Sequence, residues 1–575
     1  MRDDVAGGRS LRALRLGIAV DGTVVPKWIS FVLSKLDRAP IVDVALVVID
    51  GRGGAAKLGS GRRLRPLLFA LYENLDYRVF RSAPDAFEQV DVADDLAGRV
   101  NVLRLPASAD GSTADGDLES IRSHDLDVIL WLATGRPSAG LLDCARFGVW
   151  GLYHGDPRAS ADAPPFASQL LDDEAVAVTG LQIFGAEPCA DRVIYRSHSA
   201  IDPHSLHRSR NPAYWKAANF PLRRLEHLHR AGWGFVEGLP THHERPHAEA
   251  PTHGIPSNLE MLRFFVRLLA RGLRSRLRNI LYSEAWFLAF RRVPDATSAD
   301  GGHDWTIVSP PRGRSFADPF VIRNDDRHYV FFEEYIARED RGIISYVDIV
   351  SDARTSSPHV VLERDHHLSY PFVFTLDGDV FMVPETAEKR AVELHRAVDF
   401  PRGWVFERRL LNDIAGVDAT IVAHAGKLWL FMNVAEHGVA YSDELYIFFA
   451  DSLEGHWTPH WLNPVVSDVR SARPAGRIFE RDEMLIRPGQ DSSRGYGSAV
   501  VLHRIEVLSE EDYRETPIAR VDGSWYKGNL GTHTYDADDR YEVIDGRRWE
   551  RRLHPLEALL SRWRTRRHDD TAIDR

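Results

Sequence analysis

The chain has 575 residues, 44% of them hydrophobic and 27% charged, enough to bury several cores and to fill about three or four domains. A formal net charge of -11 argues against a dedicated nucleic-acid binder. The two cysteines, Cys144 and Cys189, sit in no CxxC or Cys/His pattern, so a disulfide framework is excluded, no metal site is expected, and a reducing cytoplasm is the expected compartment.

The opening run MRDDVAGGRSLRALRLGIAVDG is too short in apolar residues, and too broken by arginines, to read as a signal peptide. From residue 14, strand-like and helix-like segments alternate. LRLGIAV, VDVALVVID, VNVLRL, LDVILWLA and FGVWGLYH read as buried strands, and VPKWISFVLSKL has helical spacing. This pattern predicts an α/β, Rossmann-like domain over 1–205, with a mostly parallel sheet and any ligand beyond the C-terminal strand ends. The first turn, AVDGTVVP, lacks GxGxxG, so no dinucleotide cofactor is expected.

Residues 206–296 read as a helical connector. Its clearest piece is SNLEMLRFFVRLLARGLRSRLRNILYSEAWFLAFRR (257–292), where Ser257 and Glu260 form a capping box. Leu262, Phe265, Val266 and Leu269 fall on one face, and Arg263, Arg267, Arg271, Arg274, Arg276 and Arg278 supply positive charge. The pattern fits an interdomain helix with a solvated basic face. It also fits a helix lying on an anionic membrane surface, which would make the protein membrane-peripheral, or a helix that binds a partner.

From 297 to 550 the chain turns to Tyr, Phe, Trp and Val with Asp-Gly and Asn-Asp turns, an all-β signature; a basic, polar tail follows over 551–575. Five segments here repeat at intervals of ~50 residues: ADPFVIRNDDRHYVFFEE, YPFVFTLDGDVFMVPET, DATIVAHAGKLWLFMN, RPAGRIFERDEMLIRPGQD and HTYDADDRYEVIDG. A repeat of that length made of short strands predicts a five-bladed β-propeller, with a sandwich of ordinary hairpins as the alternative. In a propeller the first strand of each blade lines the axis, so Asp318, Tyr370, Asp418, Arg473 and His533 are expected at one central funnel. Two carboxylates facing such a funnel suit acid/base chemistry on a sugar. Trp305, Trp404, Trp429 and Trp457 read mainly as blade core, with sugar stacking as the second reading.

The ADPF that opens the first repeat resembles the five-bladed propeller glycosidases of the arabinanase, xylosidase and levansucrase types. That resemblance implies Asp318 as general base or nucleophile and Asp418, in VDATIV, as the orienting acid. The family's proton-donating Glu has no match in its usual blade; Glu385, in VPET, is the nearest catalytic candidate, in blade two. Over about 303–546, SFADPFV, FFEE, HLSYPFVF, VPET, VDATIV, SARPAG, RPGQDSS and HTYD together resemble the propeller domain of glucosamine inositolphosphorylceramide transferase and its bacterial relatives. His366, His367, Arg473, Arg487 and His533 then read as donors to an anionic group, with Tyr370 and Asp491 beside them. Arginine's planar fork suits phosphate. The alternative is that Arg473 and Arg487 pair structurally with acids.

FGVWGLYHGDPR, followed by PPF, AVTGLQIF and Asp191, resembles the Rossmann-like domain of formyltransferases. There the Asn-x-His pattern is replaced by Gly151 or Leu152 and by Tyr153 or His154. Candidates in this domain are His154, Asp156 and Asp191, with Arg158 alongside.

Three functional readings follow. The first is a carbohydrate-active enzyme of surface glycan or glycolipid synthesis, whose propeller carries glycosyl transfer, phosphorolysis or hydrolysis, with a nucleotide sugar or sugar phosphate as donor and a carbohydrate or glycolipid as partner. The second is a formyltransferase-like enzyme on an amino-sugar nucleotide, using formyl-tetrahydrofolate. The third is a non-catalytic scaffold.

Overall fold

The computed structural model describes residues 12–51, 66–96, 100–106, 112–155, 163–239, 254–293 and 305–552. The chain divides into two compact units. One holds the chain through Phe265 together with His437–Val439, and the other holds the remainder.

The N-terminal unit is built on a seven-stranded sheet. Its first five strands are parallel, in the spatial order Asn101–Leu105, Val42–Asp50, Leu14–Val20, Val128–Trp131, Val149–His154. Read by chain position this is 3-2-1-4-5, the doubly wound order, with the switch point between Leu14–Val20 and Val128–Trp131. Val176–Ile183 and Arg192–Ala200 extend the sheet antiparallel. Helix Lys27–Arg38 buries Trp28, Ile29, Val32 and Leu36 in the core on one side of the sheet. Helix Asp115–Arg122 buries Leu118 and Ile121 in a second core.

The segment read as a connector is divided between the units. Helices Leu206–Ala217 and Phe220–Ala231 join the N-terminal core through Trp215, Ala217, Phe220, Leu225 and Leu228. Strand Tyr282–Arg292 instead belongs to the propeller.

The C-terminal unit is a five-bladed β-propeller. Blades one to four start from Arg314–Asn324, Ser369–Leu376, Gly416–His424 and Phe479–Arg481, each running outward through consecutive antiparallel strands. The fifth is composite. Tyr535–Ala537 and Tyr541–Arg551 from the end of the β region pair with Tyr282–Arg292 and Thr306–Val308 from its beginning. Tyr282–Arg292 runs in unbroken register along Tyr541–Arg551, from Tyr282 opposite Arg551 to Arg292 opposite Tyr541. A ring of blades has no free edge only when its last blade is complete. This one is completed by a strand that the repeat pattern could not reveal, because that strand lies upstream of all five repeats.

The closing strand also carries core. Leu288 and Phe290 pack with Phe316, Phe332 and Val543, and Ala289 packs with Val500 and Ile544. A fragment beginning at residue 297 therefore lacks two buried faces and one partner of the fifth blade. It should show no cooperative unfolding transition by calorimetry, whereas a fragment beginning at 266 should melt as one unit.

Candidate functional site

The first strands of blades one, two and three share one local irregularity. The ladder skips two residues in each, between Ala317 and Phe320, Ser369 and Phe372, and Val417 and Thr420. The first skipped residue adopts the left-handed region, at φ 52° for Asp318, 43° for Tyr370 and 57° for Asp418. A non-glycine residue there costs of order 1 kcal/mol, and such bulges re-aim a side chain. Three equivalent strained positions turn Asp318, Tyr370 and Asp418 toward one another at the inner ends of their blades.

Asp318 is 3% exposed. Its Oδ1 accepts from the Thr534 hydroxyl at 2.7 Å and lies 2.9 Å from His533 Nε2; its Oδ2 accepts from the Tyr370 amide at 3.2 Å. The other ring nitrogen of His533, Nδ1, lies 3.0 Å from Asp545 Oδ2. Burial alone would strip the His533 proton; Asp545 and Asp318 outweigh it and hold the imidazole up to about 10. Burial likewise pushes Asp318 up, but His533 and Thr534 more than offset it, and the carboxyl is held below its usual range. The ligand atoms of Asp318, His533 and Asp545 fall within 4.8 Å of one another, the spacing of a cation site, and a metal there would have to displace the His533 proton.

On the other side, Asp418 takes a fork from Arg473, Nε to Oδ2 at 2.5 Å and Nη2 to Oδ1 at 3.3 Å, and a further bond from Gln490 Nε2 at 3.1 Å. Burial pushes Asp418 up to about 6 against the pull of Arg473, which leaves it ionised at neutral pH. The Arg473 guanidinium also lies 5.1 Å from the ring centre of Tyr496. That ring sits 4.8 Å from His533, and the Trp286 ring 4.3 Å from it, so the funnel has an aromatic wall. Tyr370 is fully buried, its hydroxyl bonded to Thr420 Oγ1 at 2.9 Å and to the Gly476 amide at 2.7 Å. It ties blades two, three and four together. Arg477 plugs the axis with bonds to Asp536 and to the carbonyls of Val321 and Val373.

Glu333 is the residue that sequence reasoning missed. It lies on the second strand of blade one, Arg327–Ile336, in the FFEE motif. Its side chain is 12% exposed and its Oε1 lies 3.3 Å from His367 Nε2, while His367 Nδ1 accepts from the Gly342 amide at 3.0 Å. Burial first, and then the charge of Asp318, push the Glu333 carboxyl well above its usual range. Its neighbour Glu334 faces the other way, onto Arg314 and Ser345. Glu385 interacts with the same charges; its Oε2 accepts from Ser369 and its Oε1 from the Ala387 amide.

Three expected anion ligands are engaged elsewhere. Arg487 forks onto Glu515 at 2.6 and 2.7 Å and bonds the Ser471 carbonyl, reaching across the intervening strand of blade four. Asp491 is held by Arg520 and by the Ser493 amide. His366 pairs with Asp365 at 2.8 Å. Trp429 and Trp457 are blade core, as their main reading had it.

In the N-terminal unit, His154 stacks on Tyr214, ring centres 3.7 Å apart and planes 10° from parallel. Burial pushes its imidazole down to about 3, so it is neutral. Asp191 is fully engaged by the Arg136 guanidinium at 2.5 and 2.9 Å, the Gly185 amide and Gln182. His154 pairs with Thr179 at one end of its strand, and Asp191 accepts from Gln182, next to Ile183, which pairs with Trp150 at the other. Four residues of strand put them roughly 13 Å apart, so the structure does not bring His154 and Asp191 together. Asp156 and Arg158 lie outside the described residues.

Residues 305–546 match the family model for glucosamine inositolphosphorylceramide transferase 1, N-terminal. The protein of that name from Oryza sativa subsp. japonica is 35% identical over 240 residues, which is 41% of this chain and 31% of the rice protein. The one from Arabidopsis thaliana is 38% identical over 206 residues, 35% of this chain and 27% of that protein. The chain thus spans less than a third of the length of these curated relatives. A family 117 glycoside hydrolase from Zobellia galactanivorans aligns at 12% identity with a TM-score of 0.30, covering 47% of this chain and 91% of its own, a likeness that carries no argument. The C-terminal unit therefore resembles the matched region of the plant transferases.

His533 neutralises two buried carboxylates, so His533→Gln should destabilise the protein by about 3–5 kcal/mol in denaturant unfolding. The pH dependence has a definite sign. A histidine whose folded value is raised stabilises fully below its ordinary value and loses that contribution as pH rises through the folded one. The wild-type melting temperature should fall between the ordinary histidine range and pH about 10, and the variant should lack that slope.

Proposed function

We propose that the propeller funnel is the active site of a glycosyl-transfer enzyme that acts on a phosphorylated sugar or glycolipid. The observation that carries this reading is one funnel with two carboxyl groups in opposite environments, Asp318 set against His533 and the Thr534 hydroxyl, and Glu333 on the neighbouring strand, where burial and the charge of Asp318 push its carboxyl up. Environments that push two carboxyl groups in opposite directions assign them opposite roles. Asp318, with one lone pair of Oδ2 left over, accepts a hydroxyl of the acceptor sugar. Glu333 carries the proton that a leaving oxygen needs. Arg473, pinned by Asp418 beside Tyr496, offers its remaining N–H groups to an anionic group of the substrate. Trp286 and Tyr496 offer flat apolar faces for a sugar ring.

The relatives' name, which joins an amino sugar to a phosphorylated inositol lipid in a transferase, supports a sugar donor and an anionic acceptor of that kind. It is a name for proteins of which the matched region is under a third, and the propeller's own residues carry the rest of the reading. The second reading, a propeller that binds glycan without turning it over, draws on the depth of Asp318, whose oxygens already hold three partners.

The two readings separate in a turnover assay with sugar phosphates and nucleotide sugars as donors and inositol phosphate as acceptor. Glu333→Gln should lower the rate by about 10²–10⁴ and leave donor binding within a few-fold in calorimetry. Asp318→Asn should also abolish turnover while the protein stays folded. Donor binding with no turnover in wild type, unaffected by either substitution, would support the binding reading. The rate should also fall at both extremes of pH. It falls on the acid side as Asp318 and Asp418 take up protons, and on the alkaline side as Glu333 loses its own, a limb that Glu333→Gln should erase.

A further inference from the structure

Helix Asn258–Leu281 opens with the capping box its sequence predicts. Glu260 Oε2 accepts from the Ser257 amide and hydroxyl, both at 2.7 Å, and the Glu260 amide donates back to Ser257 Oγ at 3.3 Å. The face it buries is not the one the leucine pattern marks. Met261 and Phe264 are the buried residues, and Phe264 and Phe265 pack around Tyr72 at 5.2 and 6.0 Å. Leu262, Val266, Leu269, Leu273, Leu277 and Leu281 are all about half exposed or more, and Leu269 is 75% exposed. At 100° per residue these side chains form one continuous stripe on the outward face, and Leu259 begins it. Helix Leu67–Phe80, whose Leu68 amide donates to Asn258 Oδ1, carries a second exposed row: Leu67, Leu71, Leu75 and Val79. Soluble monomers rarely leave apolar rows of this length in water.

Charge indicates what covers the stripe. Helix Asn258–Leu281 holds six arginines and one acid, Glu260, in a chain whose net charge is -11. Arg263 and Arg274 border the stripe on one side and Arg276 on the other. A second copy of the helix would bring arginine-rich flanks together with a single acid on each to answer them. It would also find no regular seam, because the 3-4-3-4 spacing of leucines breaks at Arg276. An anionic lipid surface answers both features, taking leucines into the acyl boundary and arginines at the headgroups. No described helix is long and apolar enough to cross a bilayer.

We infer that Asn258–Leu281 is a docking helix for anionic membranes, with Leu262, Val266, Leu269, Leu273 and Leu277 inserted and the flanking arginines at the headgroups. The test is co-sedimentation of the full chain with vesicles of phosphatidylcholine alone or mixed equally with phosphatidylglycerol. Binding should require phosphatidylglycerol and weaken with added salt. Leu269→Glu combined with Leu273→Glu should cut it at least tenfold, with an unchanged melting temperature because both side chains are exposed. Arg263→Gln with Arg274→Gln should cut binding severalfold and flatten its salt dependence. The inference falls if the wild type stays in the supernatant, or if the leucine variant sediments as the wild type does. It also falls if light scattering shows a dimer that the leucine variant dissolves, since the face would then belong to a second copy.

Discussion

The imidazolium of His533, held between Asp318 and Asp545, is the interaction on which the propeller's centre depends. Asp545 lies on the strand that pairs with the upstream closing strand, and it also accepts from the amides of His533, Thr534 and Asp318. One buried acid therefore joins blade five to blade one at the seam of the ring. Without the proton on His533, two carboxylates would face each other across that seam with no counter-charge, a costly arrangement at this depth. The same charge that fixes the seam keeps Asp318 an acceptor.

From that pair the site builds outward by inter-blade contacts. Asp318 receives the Tyr370 amide, the Tyr370 hydroxyl reaches Thr420 and Gly476, and Asp418 takes Arg473 and Gln490. Each blade hands a polar group to another, so the funnel is rigid where it is polar. Rigid donors cost no reorganisation when charge develops, which is what transfer chemistry asks of a site. Glu333 and the aromatic pair Trp286 and Tyr496 differ in kind. They keep exposure to the funnel and are the groups a ligand would meet.

Much of this was legible in the sequence because a propeller repeats. The recurring short runs located Asp318, Tyr370, Asp418, Arg473 and His533, and the structure places all five at the inner ends of their blades. The closing strand was not legible, since strand pairing across the whole domain leaves no local signal. Glu333 was visible in FFEE, but alternate residues of a strand face opposite ways, and only the fold decides which of Glu333 and Glu334 turns inward. Arg487 misled for a related reason. Its partner Glu515 lies two strands away in the same blade, a contact that only the folded sheet creates. In the helix 258–281 the leucines did mark one face, but amphipathicity alone could not say whether that face meets a core or something outside the chain.

The proposed transfer chemistry requires Glu333 to hold a proton at neutral pH beside an ionised Asp318. Infrared difference spectroscopy of the wild type against Glu333→Gln at pH 7 tests this directly. A protonated-carboxyl carbonyl band present in the wild type and absent from the variant is the predicted result. A wild type that loses only a carboxylate band on substitution would contradict it, and the funnel would then have no proton to give.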